Sequence, residues 1–268
     1  MPKVVFWSPV ATSIGQTHAS IAISTLMAIE GDYSNLLIHG HWQAKKIESA
    51  FTDYASLKSQ NVFNSSSLGI TALSRLVESN KLTPESIRNY AKPVLKQRLD
   101  VMYGTNVSSR EQFTQLTSSF SMVITTANET YDLVWVDSPK GDDKSYITDI
   151  LKSADYVIVT LNQEQVFLEE AIEKYLSCDI IKDKPKMLLM CDYEARSKYN
   201  VPNIKRKFSM KDDILTIPHN YIFKDACNDG TVIDFFYKNL GADKNDYNGY
   251  FISETRNVIK KVLEHVKI

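Results

Sequence analysis

The chain has 268 residues, a formal net charge of −1 at pH 7, 43% hydrophobic residues and 24% charged residues. This composition is typical of a globular protein with a large buried core, and it gives no global electrostatic attraction to nucleic acid or anionic membranes. Three cysteines without CxxC spacing argue against a disulfide framework or a thiolate zinc site, and they fit a reducing cytoplasm. Because no apolar run approaches ~18 residues and the N-terminus is strand-like, we expect neither a membrane span nor a secretion signal.

The first predicted elements are a short buried strand, a loop and a helix. Residues 3–7 form a β-branched and aromatic run, and Pro9 ends it because proline cannot donate to a strand ladder. Residues 17–29 carry apolar side chains at helical spacing. The loop between them lies where a phosphate-binding G-x-x-x-x-G-K-[ST] loop would lie, and it keeps Gly15 and Thr17 of that pattern.

The next part of the chain predicts a second strand and then a mostly helical region. Residues 35–39 are apolar and run into a polar turn that carries His39 and His41. Helices are predicted over 68–78 and 110–128, with another begun by Pro84, and a third strand is predicted over 99–104. No composition shift marks a domain boundary. We therefore expect one domain over residues 1–268, with a mostly helical insertion at about 44–98.

The strongest strand signal ends in Asp137. Residues 131–137 place a run of apolar side chains before this acid, as in a buried parallel strand whose carboxylate emerges at the carboxyl edge, where open α/β sheets bind ligands. The alternative is a strand-end residue that caps the next helix. Further strands are predicted over 154–161, 186–193 and 214–218, with helical patterns between them. This alternation predicts an α/β fold of three layers, a mainly parallel twisted sheet of about seven or eight strands with helices on both faces.

Several of these segments resemble the ParA/MinD family of ATPases, which have a P-loop NTPase fold and a deviant Walker A loop. Residues 131–141 look like the family's Walker B segment, Y-D-x-φ-φ-φ-D-[TS]-P-x-G. Residues 35–43 are similar in register to V-L-L-I-D-x-D-P-Q, and residues 154–161 to A-D-x-V-φ-φ-P-φ. The resemblance covers most of the chain and is weakest over residues 44–95.

The sequence departs from the family at the residues that carry chemistry. The family's signature lysine falls on Ala11 and its loop lysine on Gln16, while its two aspartates after the second strand fall on His39 and His41. The resemblance implies magnesium at Thr17 and Asp137, and Asp137 as the catalytic acid of an active enzyme. It implies a nucleotide site formed by Thr12, Ser13, Ile14, Gly15, Gln16, Thr17, His18 and Asp192, the last lying with Cys191 where the family often has an asparagine near the adenine.

These departures leave three functions open. Losing the loop lysine removes a charge-assisted hydrogen bond of roughly 1.5–3 kcal/mol, whereas the glycine and the helix N-terminus remain. The first is a non-hydrolysing or very slow ATP-binding switch or scaffold that positions DNA or a protein assembly. The second is a slow ATPase of the partition family, and the third is a pseudo-ATPase interaction module without nucleotide. ATP or ADP with magnesium, and no cofactor at all, fit the sequence equally well.

The sequence also contains candidate residues for other ligands and partners. His18, His39 and His41 form an alternative metal site for zinc, although we expect the two histidines of the His-x-His pair to point to different sides. The resemblance implies a homodimer and an unidentified protein partner. Basic residues within 182–211 give weak support to non-specific DNA binding, because acidic residues are mixed among them. The amphipathic residues 258–268 are expected to pack as the last core helix rather than on a membrane.

Overall fold

The computed structural model describes residues 2–11, 15–41, 46–52, 68–105, 107, 109–141 and 145–266. Within these ranges one eight-stranded sheet has the order β3-β4-β2-β5-β1-β6-β7-β8, and every pairing is parallel except that of β3 with β4. The strands are Lys3–Trp7 (β1), Asn35–His39 (β2), Lys92–Leu95 (β3), Leu99–Met102 (β4), Leu133–Asp137 (β5), Tyr156–Leu161 (β6), Lys186–Tyr193 (β7) and Ile214–Pro218 (β8).

Helices cover both faces of this sheet. The α-helices of the described ranges are Gln16–Glu30 (α1), Lys46–Ala50 (α2), Gly69–Glu78 (α3), Pro84–Tyr90 (α4), Arg110–Ala127 (α5), Ser145–Ser153 (α6), Gln165–Ser177 (α7), Val201–Phe208 (α8), Tyr221–Asp229 (α9), Val232–Asn239 (α10) and Tyr247–Leu263 (α11). A single 3₁₀ turn, Asp179–Ile181, precedes β7.

Two hydrophobic cores, one on each face, hold the three layers together. Val4 and Phe6 of β1 contribute to the core shared with α1, α2 and α9–α11, whereas Val5 and Trp7 contribute to the core shared with α3–α8. Successive strand residues point to opposite faces, and both faces are buried, so the central strands are continuous apolar runs. The predicted fold class is therefore confirmed, with eight strands.

One strand of the sheet, β3, was not predicted from the sequence. β3 pairs antiparallel with β4 at the end of the sheet, inside the region that we expected to be mostly helical. It contains Pro93, which an edge strand tolerates because one side of its backbone needs no partner. The described residues of 44–98 form α2, α3, α4 and this strand. Thr83 caps α4 reciprocally with Ser86, as the Thr-Pro pair predicted a helix start.

The cysteines and the last helix are arranged as the sequence predicts. All three cysteines are free. Val258 and Val262 of α11 are completely buried in the core, so this helix packs against the sheet. None of the helices in the described ranges is both long and apolar enough to cross a bilayer.

Candidate functional site

The loop after β1 reaches α1 at the carboxyl edge of the sheet. Gly15, the residue before α1, has φ 79°, a left-handed conformation that suits glycine. A Cβ at this position would lie 3.2 Å from the Cβ of Cys191, so the loop passes close to the end of β7. No side chain of the described residues caps α1, which leaves N–H groups of its first turn for another acceptor. Thr12, Ser13 and Ile14 lie outside the described residues.

Gln16, at the position of the family's loop lysine, is completely buried and fully hydrogen-bonded. Its Nε2 donates to Asp137 Oδ1 at 2.6 Å and to the Ser138 carbonyl at 2.7 Å. Its Oε1 accepts from Thr160 Oγ1 at 2.9 Å. Thr160 occupies the place of the proline in the family's A-D-x-V-φ-φ-P-φ pattern. The two departures, 144 residues apart, thus bond to each other, and sequence reasoning did not single out Thr160.

Asp137, at the end of β5, is the centre of this cluster. It is completely buried, Thr17 Oγ1 donates to its Oδ2 at 2.8 Å, and His41 Nε2 lies 3.2 Å from the same oxygen. Burial alone would raise the pKa of Asp137, but His41 and the hydrogen bonds donated by Gln16 and Thr17 hold it below its usual range. The loop-to-helix junction and the acid therefore lie in direct contact.

His39 makes a separate buried pair. Its Nε2 lies 2.9 Å from Glu48 Oε1, which also accepts from the Gly104 amide at 2.9 Å. Burial opposes both charges, yet the mutual attraction of the pair raises the pKa of His39 and lowers that of Glu48. A Cβ at position 104 would collide with the His39 ring, so glycine is required there. Glu48 was not among the predicted site residues.

The two histidines do not diverge as we expected. The rings of His39 and His41 stack with centroids 5.9 Å apart, because residues two apart in an extended segment share a face. Each ring faces a carboxylate of the protein. Across the described residues, no group of three or more His, Cys, Asp and Glu side chains is arranged to hold a metal ion. His18, His39 and His41 are thus not brought together as one ligand set.

Asp192, at the end of β7, lies across the loop from these groups. It has φ 55°, and its carboxylate contacts His219 Nδ1 at 2.7 Å and Lys224 Nζ at 2.8 Å. A cavity beside it, lined by Gly15, His18 and Lys224 among others, has a volume of about 20 Å³, room for a single water. This cavity is too small for an adenine ring. A cavity of about 190 Å³ lies at the opposite, amino edge of the sheet.

The magnesium ion that the fold implies does not fit these side chains as they are arranged. Mg²⁺ demands an octahedral set of oxygen ligands. Both oxygens of Asp137 already accept hydrogen bonds, from Gln16 and Thr17, and imidazoles stand at the two positions where the resemblance has carboxylates. A phosphate fits better, since the uncapped start of α1 offers N–H donors and a positive helix end.

Comparison with solved structures supports the fold assignment. The chain is similar to a ParA family ATPase from Chlorobium tepidum TLS, with 12% identity, a TM-score of 0.73, and 96% of this chain and 98% of that chain covered. It is similar to the septum site-determining protein MinD of Pyrococcus horikoshii OT3 complexed with Mg-ADP, with 16% identity, a TM-score of 0.66 and complete coverage of both chains. A chain of the MinC:MinD cell division protein complex of Aquifex aeolicus has 14% identity and a TM-score of 0.62, with 97% and 96% covered.

No protein-family model matches the sequence, and no curated protein matches it. The likeness therefore concerns the fold. The layered, mainly parallel sheet with a loop and helix after β1 is a three-layer α/β fold like that of P-loop NTPases. More particularly, the chain has the fold of the ParA/MinD ATPases, and the resemblance stated from the sequence is confirmed at that level.

Proposed function

We propose that the protein is a ParA/MinD-like switch or scaffold of the cytoplasm that binds ATP or ADP and does not hydrolyse it at a significant rate. It acts in positioning DNA or a protein assembly. The observation that supports this most directly is the hydrogen bond of Gln16 to Asp137. At the position of the loop lysine, Gln16 is a neutral amide bonded to Asp137. The site therefore has the fold of an ATPase without the lysine charges that the resemblance implies.

The surroundings of the acid support slow or absent turnover. In the resemblance, the signature lysine acts across the dimer, a role comparable to that of an arginine finger worth about 10³–10⁵ in rate. Ala11 stands in its place. Asp137 is desolvated, and the hydrogen bonds from Gln16 and Thr17 fix its carboxylate in one orientation, so it is less free to orient a water or a metal. Nucleotide binding requires fewer of these groups than hydrolysis does.

We further propose a homodimer and a protein partner. The similar MinD of Pyrococcus horikoshii is described with Mg-ADP and that of Aquifex aeolicus with MinC, which makes a nucleotide and a protein partner reasonable expectations for this fold. Light scattering with and without ATP tests the dimer. A monomer in both conditions, at concentrations well above those of the binding assay, would contradict it.

Calorimetric titration separates the proposed function from its two alternatives. ATP and ADP are titrated with and without Mg²⁺, and phosphate release is followed in parallel for the unaltered protein, Asp137→Asn and the control Asp229→Asn. Asp229 is an exposed acid at the end of α9. We expect binding without phosphate release. Release that Asp137→Asn abolishes and the control keeps would indicate a slow ATPase, and no binding in any condition would indicate an interaction module without nucleotide.

A further inference from the structure

The larger cavity, at the amino edge of the sheet, is separate from the crevice at Asp137. The β3–β4 hairpin, the start of β2, α4 and Tyr131 surround it. Tyr131 precedes β5 and Asp137 ends it, so the two sites are about 20 Å apart at ~3.3 Å per residue. The volume of about 190 Å³ equals that of roughly six waters, and it is smaller than the ~300–1,000 Å³ of sites for drug-sized ligands. This amino-edge cavity therefore has room for a small organic molecule.

Hydrogen bonds within the chain fix the walls of the amino-edge cavity. The backbone amide and the side-chain amide of Asn35 both donate to the Arg98 carbonyl, at 2.8 and 3.1 Å, and hold the hairpin turn against β2. Arg88 Nη2 donates to the Thr130 carbonyl at 2.9 Å, and Thr130 Oγ1 donates to the Pro84 carbonyl at 3.0 Å. These two bonds hold α4 against the segment before β5. The cavity is thus formed before a ligand enters, which reduces the cost of binding.

Asp100 brings a carboxylate to the amino-edge cavity. It lies in β4 between the buried Leu99 and Val101, in a type of element where aspartate is uncommon. Its Oδ2 accepts from the Tyr131 hydroxyl at 2.6 Å, and none of the described residues donates to its Oδ1. Burial first, and then this hydrogen bond, raise the pKa of Tyr131, so the phenol remains a donor. The partly exposed acid therefore has one oxygen available to a ligand.

Two arginines line the same cavity. Arg98 is already paired with the exposed Asp32. Arg88 lies with its guanidinium carbon 5.2 Å from the centroid of the Tyr131 ring, and within the described residues only its Nη2 has an acceptor. Its remaining N–H groups form the planar fork that matches a carboxylate. Because Tyr131 contacts both Arg88 and Asp100, a single small molecule beside its ring can reach both charges.

We propose that the amino-edge cavity binds a small α-amino acid, with the ammonium group on Asp100 and the carboxylate on Arg88. A dicarboxylate would bring a like charge to Asp100, and a diamine would bring one to the arginines. A zwitterion pairs with both charges. Pro93, Leu99 and the Tyr131 ring provide apolar surface for a short side chain. This binding is independent of the proposed function, since it involves neither the loop before α1 nor Asp137.

Equilibrium dialysis of the full chain against each of the common L-amino acids, at about 1 mM, tests the proposal. We expect an amino acid with a short side chain to bind. Its analogue without the ammonium group and its analogue without the carboxylate should each bind about tenfold or more weakly, because one charge-assisted hydrogen bond is lost. Binding of no amino acid, or equal binding of the amino acid and its analogues, would overturn the proposal. Neither result depends on whether the protein binds a nucleotide.

Substitution of Asp100 separates ligand binding from a structural role. Asp100→Asn keeps an acceptor for the Tyr131 hydroxyl and removes the charge. It should weaken binding of the amino acid about 10–100-fold and tighten binding of the analogue without the ammonium group, because the repulsion between two carboxylates is removed. Equal weakening of both ligands would contradict the proposal. Urea unfolding checks that each variant is folded.

Substitution of Arg88 tests the other end of the ligand. Arg88→Met should weaken binding of the amino acid and of its analogue without the ammonium group alike, by about tenfold or more, and Arg88→Lys should restore part of it. Arg110→Met is the matched control, because Arg110 is an exposed arginine at the start of α5, and it should bind as the unaltered protein does. Unchanged binding in Arg88→Met would refute the assignment of the carboxylate to this arginine.

Discussion

At the scale of single residues, two departures from the ParA/MinD pattern bond to each other. Gln16 and Thr160 replace a lysine and a proline, and their side chains bond to each other and to Asp137. The sequence could place Gln16 and Asp137 at one crevice, because the strand ending in Asp137 resembles a known segment and the loop keeps Gly15 and Thr17 at the matching position. It could not reveal Thr160 as a partner, since a threonine in a buried strand is an ordinary residue and only the parallel pairing of β1 with β6 brings it to Gln16.

Replacing Gln16 should therefore destabilise the fold. We expect Gln16→Met to lower the free energy of unfolding by about 2–3 kcal/mol, because it leaves a buried carboxylate oxygen of Asp137 and the Ser138 carbonyl without the amide that donates to them. The measurement is urea unfolding. Gln112→Met, at an exposed position in the first turn of α5, should change stability by less than about 0.5 kcal/mol. Equal effects of the two substitutions would show that the cluster at Asp137 contributes nothing to stability.

His18 predicts a specific loss of stability in acid. Its pKa is lowered from 6.5 to about 4 in the folded protein, by burial and by Lys46 and Lys224. Below pH 6.5 His18 is protonated in the unfolded chain but stays neutral in the folded protein. The free energy of unfolding therefore falls as the pH drops toward 4. Between pH 7 and 5, His18→Asn should lose about 1–2 kcal/mol less of its unfolding free energy than the unaltered protein. His265→Asn, near the C-terminus, is the control and should lose as much unfolding free energy between pH 7 and 5 as the unaltered protein. An equal loss in His18→Asn and His265→Asn would contradict the assignment of the effect to His18.

At the scale of elements, α2 is joined to the sheet by one buried ion pair. Glu48 of α2 holds His39 of β2 and the Gly104 amide after β4, and α2 also packs against α9. The pair thereby fixes α2, which begins at Lys46, against the ends of β2 and β4. The central strands were predictable because both faces bury apolar side chains. β3 was not, because its four residues are only partly buried and one of them is a proline. Glu48 resembled any acid of a helical region.

The His39–Glu48 pair should stabilise the protein most at mildly acidic pH. The pKa of His39 is raised, so its contribution is complete below pH 6.5 and is lost as the pH rises through the raised value. The pKa of Glu48 is lowered, so its contribution to stability is present above pH 4.5 and is lost as the pH falls through the lowered value. Glu48→Gln should therefore cost about 3 kcal/mol at pH 6 and clearly less at pH 9, by urea unfolding. Glu173→Gln, on the exposed side of α7, should show no such difference; a cost at pH 9 as large as at pH 6 would disprove the charged pair.

At the scale of the whole molecule, the strand order decides which replacements meet. β5 lies between β1 and β2, so Asp137, His39 and the loop before α1 reach one edge of the sheet although they are remote in sequence. The resemblance predicted this meeting, because parallel strands expose their carboxyl ends together. The pairs that form there depend on side-chain geometry that no single segment encodes. The site is consequently a set of coupled residues, so the effect of one substitution there depends on its neighbours.

Introducing two lysines, at Ala11 and Gln16, should not by itself produce an ATPase. In Ala11→Lys/Gln16→Lys, ATP should bind about tenfold tighter, because a charge-assisted contact to phosphate is regained. Phosphate release should stay at background, since His39 and His41 remain and imidazole is a poor ligand for Mg²⁺. Adding His39→Asp and His41→Asp requires Glu48→Gln as well, because Glu48 would otherwise oppose a new buried carboxylate. Only this combined variant should release phosphate with Mg²⁺ above background. Release by the two-lysine variant alone would show that the histidines do not block hydrolysis.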